Sequence, residues 1–246
     1  MRYLLSRASK PVLKQLARER TLCAFDFDGT LAPIVEHPAQ AGLPDRTREL
    51  LRKVTALYPC VILSGRSRAD LCPKVGGIGF RRVIGNHGAE TESGTQTGRG
   101  QISKWKAAIE PGLRAIPGVW VEDKNLSLAV HYRRSLKKSE ARHRIIQATA
   151  NLEGVRVFGG KEVVNLVIGG APNKGQALAA ERDRLHCAWV LYVGDDENDE
   201  DAFALEGNLI PVRIGRKRRS GARYYLRTQA EIDKLLELLV MFRQPD

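Results

Sequence analysis

The chain has 246 residues, enough for one large domain or two modest ones, and its 43% apolar content supports a packed core rather than a disordered chain. No apolar run approaches the roughly 20 residues that a membrane helix needs, and the charged N-terminus lacks the apolar stretch of a secretory signal, so a cytoplasmic protein is expected. A net charge of +12 admits an anionic substrate or a polyanion.

In chain order, MRYLLSRASKPVLKQLARER (residues 1–20) reads as an amphipathic helix on the outside of the fold. TLCAFD then reads as a buried strand, and PDRTRELLRKVTALY as the helix after it. PCVILSG and RRVIGN are further strands, and NKGQALAAERDRL is a helix preceding the strand AWVLYVGDD. Near-continuous Val/Ile/Leu content marks parallel strands covered on both faces, and strands alternating with helices imply a doubly wound α/β sheet. Cys23, Cys60 and Cys187 border these strands and Cys72 lies apart. None forms a CxxC pair, which suits reduced thiols.

Between residues 99 and 171 a helix–strand–strand unit occurs twice: GQISKWKAAIEPGLRAI, GVWVEDKN and LSLAVHYRR, then KKSEARHRIIQATANL, GVRVFGGK and EVVNLVIGG. The expected division is a core of residues 1–98 and 172–246 and an inserted α+β lid of residues 99–171. The densest basic stretch, Arg213 to Arg227 with Arg216–Arg219 at its centre, reads as a solvated loop and edge strand. No nucleic-acid-binding motif frames it, so nucleic acid is not an expected partner.

Chemistry collects where the strands end. Asp26 and Asp28, Ser64, Asn86, and Asp195 with Asp196 stand at the carboxyl ends of the four strands, where open parallel sheets bind ligands. Three carboxylates meeting there would repel one another without a cation, and an all-oxygen donor set selects a hard ion, Mg²⁺. Lys174 opens a helix behind Pro172-Asn173, and Ser64-Gly65-Arg66 adds a hydroxyl, a bare backbone and a guanidinium. Together they describe a site for a phosphoryl group.

Asp26-Phe27-Asp28-Gly29-Thr30, Ser64, Lys174 and Gly194-Asp195 with Asn198-Asp199 resemble the four motifs of the haloacid-dehalogenase-like phosphatases. Over nearly its whole length the chain resembles the trehalose-6-phosphate phosphatases, through DFDGTLAPI, LSGRS, GNHGAE, VHYR, NKGQAL and GDDENDEDAF. The resemblance implies a Rossmann-like core with an inserted cap, a sugar-phosphate substrate, Mg²⁺, and functional coupling to a trehalose-6-phosphate synthase. It makes Asp26 the nucleophile and Asp28 the general acid and base. Mg²⁺ would be held by Asp26, the Asp28 carbonyl and Asp195, with Asp199 supporting, and the phosphate by Ser64, Gly65 and Lys174.

On the cap, His131 and Arg133 stand in alternate positions and are expected on one strand face, toward the sugar or simply on the surface. Arg66 and Asn165 are further sugar candidates. His87 and Glu90 are weaker candidates, with a structural hydrogen-bonding role equally open. One departure stands out: Asn165 and Val167 occupy positions where the family usually has a Glu followed two residues later by a Lys or Arg. That leaves the phosphatase chemistry intact and opens the alternative of another sugar phosphate, of glucosyl or sucrose type.

Overall fold

The computed structural model describes residues 1–91 and 98–244. These form two compact units, one of residues 1–91, 173–195 and 199–244, the other of residues 98–172 with 196–198. No helix among the described residues is long and apolar enough to cross a membrane.

The first unit begins with strand β1 (Arg2–Tyr3) and helix α1 (Lys10–Arg18), followed by β2 (Thr21–Phe25) and α2 (Asp45–Leu57). β3 (Cys60–Leu63), α3 (Arg68–Val75) and β4 (Arg82–Ile84) complete its first half. The second unit contains α4 (Arg99–Arg114), β5 (Trp120–Asp123), β6 (Ser127–His131), α5 (Lys138–Thr149), β7 (Val155–Gly160) and β8 (Val163–Ile168). The first unit resumes with α6 (Lys174–Arg184), β9 (Trp189–Gly194), α7 (Glu200–Phe203), β10 (Leu209–Ile214), β11 (Tyr224–Leu226) and α8 (Ile232–Arg243).

The large sheet has seven strands in the order β1-β11-β10-β9-β2-β3-β4, and every pairing is parallel. Its layers follow from the alternation of side chains along each strand. Cys23, Phe25, Ile62, Leu191 and Val193 point to one face, where they pack with Leu13, Leu16, Leu51 and Leu235 from α1, α2 and α8. Leu22, Ala24, Val61, Leu63, Val190 and Tyr192 point to the other, against Leu178, Ala202 and Phe203 from α6 and α7. With both faces covered, β2 and β3 have no polar alternation, which is why their sequences read as continuous apolar runs. All four cysteines are free, and Cys23 pairs in register with Cys60 inside this core.

Two expectations change. The N-terminal twenty residues are not one helix: Arg2–Tyr3 form a strand, and the helix starts only at Lys10, with Pro11 in its first turn. Pro fits there because its missing N–H belongs to a position without an intrahelical partner. The basic stretch supplies β11, yet β11 is not the edge, because β1 pairs outside it.

The second unit is a four-stranded antiparallel sheet, β5-β6-β8-β7, with α4 and α5 on one face. Leu128, Val130, Val164 and Leu166 pack there against Ile102, Trp105, Ile109 and Ile145. Register places Glu122, Ala129, Asn165 and Phe158 in one row on the other face, with Trp120 and His131 in the next. The chain is thus an α/β protein, a doubly wound parallel-sheet core interrupted by an α+β unit.

Candidate active site

Asp26 follows β2 directly, and its backbone N–H donates to the Val193 carbonyl of β9 (2.9 Å), so the chain leaves the sheet with its carboxylate beside that strand's end. Asp26 is 5% exposed, Asp195 3% and Asp199 fully buried, and one oxygen of each lies within 4.8 Å of the others. Lys174 is the first residue of α6, whose start is fixed by a capping box between Asn173 and Gln176. Its buried ammonium donates to Asp26 Oδ1 and to Asp199 Oδ1, both at 2.7 Å.

Asp199 is a hub. Oδ1 also accepts from the Tyr192 hydroxyl (2.6 Å), and Oδ2 accepts from the Asp195 N–H (2.8 Å). Arg213 of β10, in register with Gly194, donates to the Asp195 carbonyl at 2.6 Å. The strand end that carries Asp195 is therefore held from both sides. Burial pushes the Asp26 carboxyl well above the usual carboxylate range; Lys174 opposes that rise, while Asp199 and Asp195 add to it. Burial works against the Lys174 ammonium as well, but Asp199 and Asp26 outweigh it and hold the amine above its ordinary value. Burial, then Asp199, raises the Tyr192 phenol.

The Asp28–Ala32 segment folds back in a tight turn, with Gly29 N–H donating to the Ala32 carbonyl at 2.7 Å. Gly29 has φ +80°, and a Cβ there would stand 2.2 Å from Asp195 Oδ2, so the turn's close approach to that carboxylate demands glycine. The Asp28 carboxylate is gripped by Arg66, Nε to Oδ2 at 2.7 Å and Nη2 to Oδ1 at 2.8 Å. Arg66, expected against the sugar, also bonds Asp70 and the Pro38 carbonyl, so its guanidinium is spent on protein groups.

Ser64 and Gly65 lie at the end of β3, tied to the loop after β4: His87 N–H donates to the Ser64 carbonyl (2.9 Å) and Asn86 N–H to the Arg66 carbonyl (2.8 Å). That loop in turn meets α6. Gly88 has φ +113°, and a Cβ there would fall 2.5 Å from the Asn173 carbonyl. The loops bearing Ser64, His87 and Lys174 are therefore in mutual contact. Glu90 Oε2 accepts from Arg68 N–H (2.8 Å) and Asn86 Nδ2 (2.7 Å), the structural role left open for it.

In the second unit, β6 ends at His131, and Arg133 lies beyond it. The chain turns there, with Ser135 N–H donating to the Tyr132 carbonyl, and Arg133 Nε pairs with Glu162 at 3.1 Å. Tyr132, between His131 and Arg133, packs with Val130 into the helix-covered core. His131 Nε2 lies 2.7 Å from Glu122 Oε2, and its ring stacks on Trp120 at 4.5 Å between centroids. Asn165 is buried in the row that also contains Glu122. Sequence reading passed over Glu122 and Trp120; their alternation on β5, opposite His131 across the hairpin, is the signal that would have found them.

The family profile described as Trehalose-phosphatase matches residues 24–222. The chain belongs to the trehalose-phosphatase family. Among relatives of this family member, the trehalose-phosphate phosphatase of Mycobacterium tuberculosis (strain ATCC 25618 / H37Rv) is 35% identical over 205 residues, covering 74% of the chain and 50% of that protein. An uncharacterized glycosyl hydrolase of the same strain is 36% identical over 210 residues, 78% of the chain and 16% of that protein. The chain thus spans half or less of the length of these curated relatives. The C-terminal domain of Candida albicans trehalose-6-phosphate phosphatase superposes with a TM-score of 0.79 at 23% identity, covering 94% of this chain and 96% of that one. That likeness concerns the fold.

Proposed function

We propose that the chain is a Mg²⁺-dependent phosphatase that hydrolyses trehalose 6-phosphate to trehalose and phosphate, with an aspartyl phosphate on Asp26 between two displacements. The observation that carries this reading is the buried Asp26–Lys174–Asp199–Asp195 cluster at the carboxyl ends of β2 and β9 in a trehalose-phosphatase family member. When ionised, its three carboxylates face one buried ammonium, and all their donor atoms are oxygens, a set that fits a hard divalent cation. Asp26, the Asp28 carbonyl and Asp195 would hold it. Asp199, already accepting from Lys174, Tyr192 and the Asp195 N–H, would brace them. Bound there, the ion would neutralise charge on the transferring phosphoryl group and keep the Asp26 carboxylate ionised.

The side chains take the remaining roles. Asp26 attacks phosphorus while Lys174, Ser64 and the Gly65 backbone hold phosphate oxygens. Asp28 protonates the departing sugar oxygen, then takes a proton from the water that opens the acyl phosphate. Sugar recognition falls to the second unit, with His131 and Asn165 on the sheet face turned from its helices. The reading implies a trehalose-6-phosphate synthase as supplier, and four free cysteines suit a reducing compartment such as the cytoplasm.

The test is phosphate release with Mg²⁺ present. Asp26→Asn is expected to abolish turnover and a chelator to silence the wild type; turnover by that variant would end the covalent mechanism. Asn165 and Val167 favour a second reading, a phosphatase for a glucosyl- or sucrose-type phosphate, since an amide and an isopropyl group replace an acid and a base. A clear preference for trehalose 6-phosphate over glucose 6-phosphate and sucrose 6-phosphate would reject it.

A further inference from the structure

Every strand of the large sheet has an amino end, and a cavity of about 470 Å³ opens there, at the edge opposite the catalytic residues. Arg20 precedes β2, Pro59 precedes β3, Arg81 precedes β4, and Leu185 closes α6 shortly before β9. Arg184 from the last turn of α6 and Arg243 from the last residue of α8 complete a ring of four guanidinium groups, and none of the lining residues is acidic.

Three of the four arginines have partners within the fold. Helix carboxyl ends converge at this edge, and arginines there satisfy orphan carbonyls and the negative end of the helix dipole. Arg20 Nε donates to the Leu185 carbonyl at 3.0 Å. Arg243 Nη1 bonds the Ala17 and Glu19 carbonyls past the end of α1 and stacks over Tyr58, 5.0 Å from the ring centroid. Arg184 pairs with Glu181, a carboxylate already shared with Arg82. The Arg81 backbone N–H donates to the Cys60 carbonyl at 2.7 Å, while its exposed guanidinium makes no hydrogen bond or ion pair to a described residue. Capping and pairing thus leave an excess of positive charge around a concave space, with planar forks suited to bidentate contact with phosphate oxygens.

We infer that this cavity is a second anion site, one that binds a compact polyanion carrying a di- or triphosphate group. A single orthophosphate would fill little of the volume and neutralise little of the charge, whereas the volume lies within the range of small-ligand pockets. Ala56, Leu57, Pro59 and Leu185 line the rest of the space, so the guanidinium groups form the charged side of a mixed wall. The site is independent of the phosphoryl-transfer cluster, whose residues all stand at the other end of the strands.

Calorimetric titration of tripolyphosphate, and separately of ATP, into the Asp26→Asn chain with EDTA present tests this. Saturable binding at one site is expected, weakened at least tenfold by adding Arg81→Glu and changed less than threefold by Arg81→Lys. Raising the salt concentration should weaken binding, as for any exposed charge contact. Phosphate release by the Arg81→Glu chain with Asp26 intact should stay within twofold of wild type. Arg20→Gln is the second variant, expected to weaken binding threefold or more. Absence of saturable binding by both probes, or binding that Arg81→Glu and Arg20→Gln leave unchanged, overturns the inference.

Discussion

Lys174 shows how much a single side chain is asked to do. Its ammonium pairs with two buried carboxylates at once, so Lys174→Ala would leave Asp26 and Asp199 buried without that partner. Breaking a buried pair from one side costs about 3–5 kcal/mol. The expected outcome is a large fall in the midpoint of urea unfolding together with loss of turnover. Arg66 acts differently, by fixing Asp28 in a two-pronged grip. On the acid–base role proposed for Asp28, Arg66→Ala should lower kcat by about ten- to a hundredfold with a smaller change in KM. Arg66→Lys restores the charge without the fork, and should recover only part of the rate. Asp26 supplies a dependence on pH. Its carboxyl keeps a proton to higher pH in the folded chain than in the unfolded one, so between those two values the native state binds more protons and loses stability as pH rises. A cation that binds the carboxylate removes that loss. Mg²⁺ should therefore raise the unfolding temperature more at about pH 8 than at about pH 5, the full effect at a hundredfold excess over Kd being about 2–3 kcal/mol.

At the level of elements, the amino end of α6 couples stability to function. Asn173 and Gln176 cap each other's backbone, and the next residue after Asn173 is Lys174. Asn173→Ala should cost about 1 kcal/mol in chemical unfolding, with a fall in kcat larger than that cost implies, because the helix start sets where the ammonium sits. Strand ends were legible in sequence for a physical reason. A strand buried on both faces is an unbroken apolar run, and a carboxylate at its tip stands out, as with Asp26 after Phe25 and Asp195 after Gly194. β1 and β11 were illegible, or legible only in part, because they have two and three residues and depend on pairing with each other for their conformation. The Arg66–Asp28 clamp was illegible for another reason: the partners are distant in sequence, and no local pattern announces a clamp across 38 positions. The end of β6 at His131 was illegible because the following turn, with Ser135 N–H on the Tyr132 carbonyl, sets it.

For the whole molecule, the net charge of +12 bears on how an anionic substrate arrives. Arg216, Lys217, Arg218 and Arg219 are exposed in the loop that leaves β10 at the same sheet end as Asp195, and Gly221 N–H anchors that loop to Glu200. Replacing the four with Gln should lower kcat/KM for a sugar phosphate about three- to tenfold at low ionic strength. The difference should vanish at about 1 M salt, where the screening length is about 3 Å. Steady-state rates across a salt series check this.

The all-parallel sheet has a consequence for biogenesis. Thr21–Phe25 cannot complete its central position until Trp189–Gly194 has been made, and Arg2–Tyr3 waits for Tyr224–Leu226. On a ribosome Thr21–Phe25 can pair with Cys60–Leu63 early, but its other edge stays open through most of translation. Aggregation of chains stopped before residue 189, which lack the strand that closes this edge, is the expected outcome.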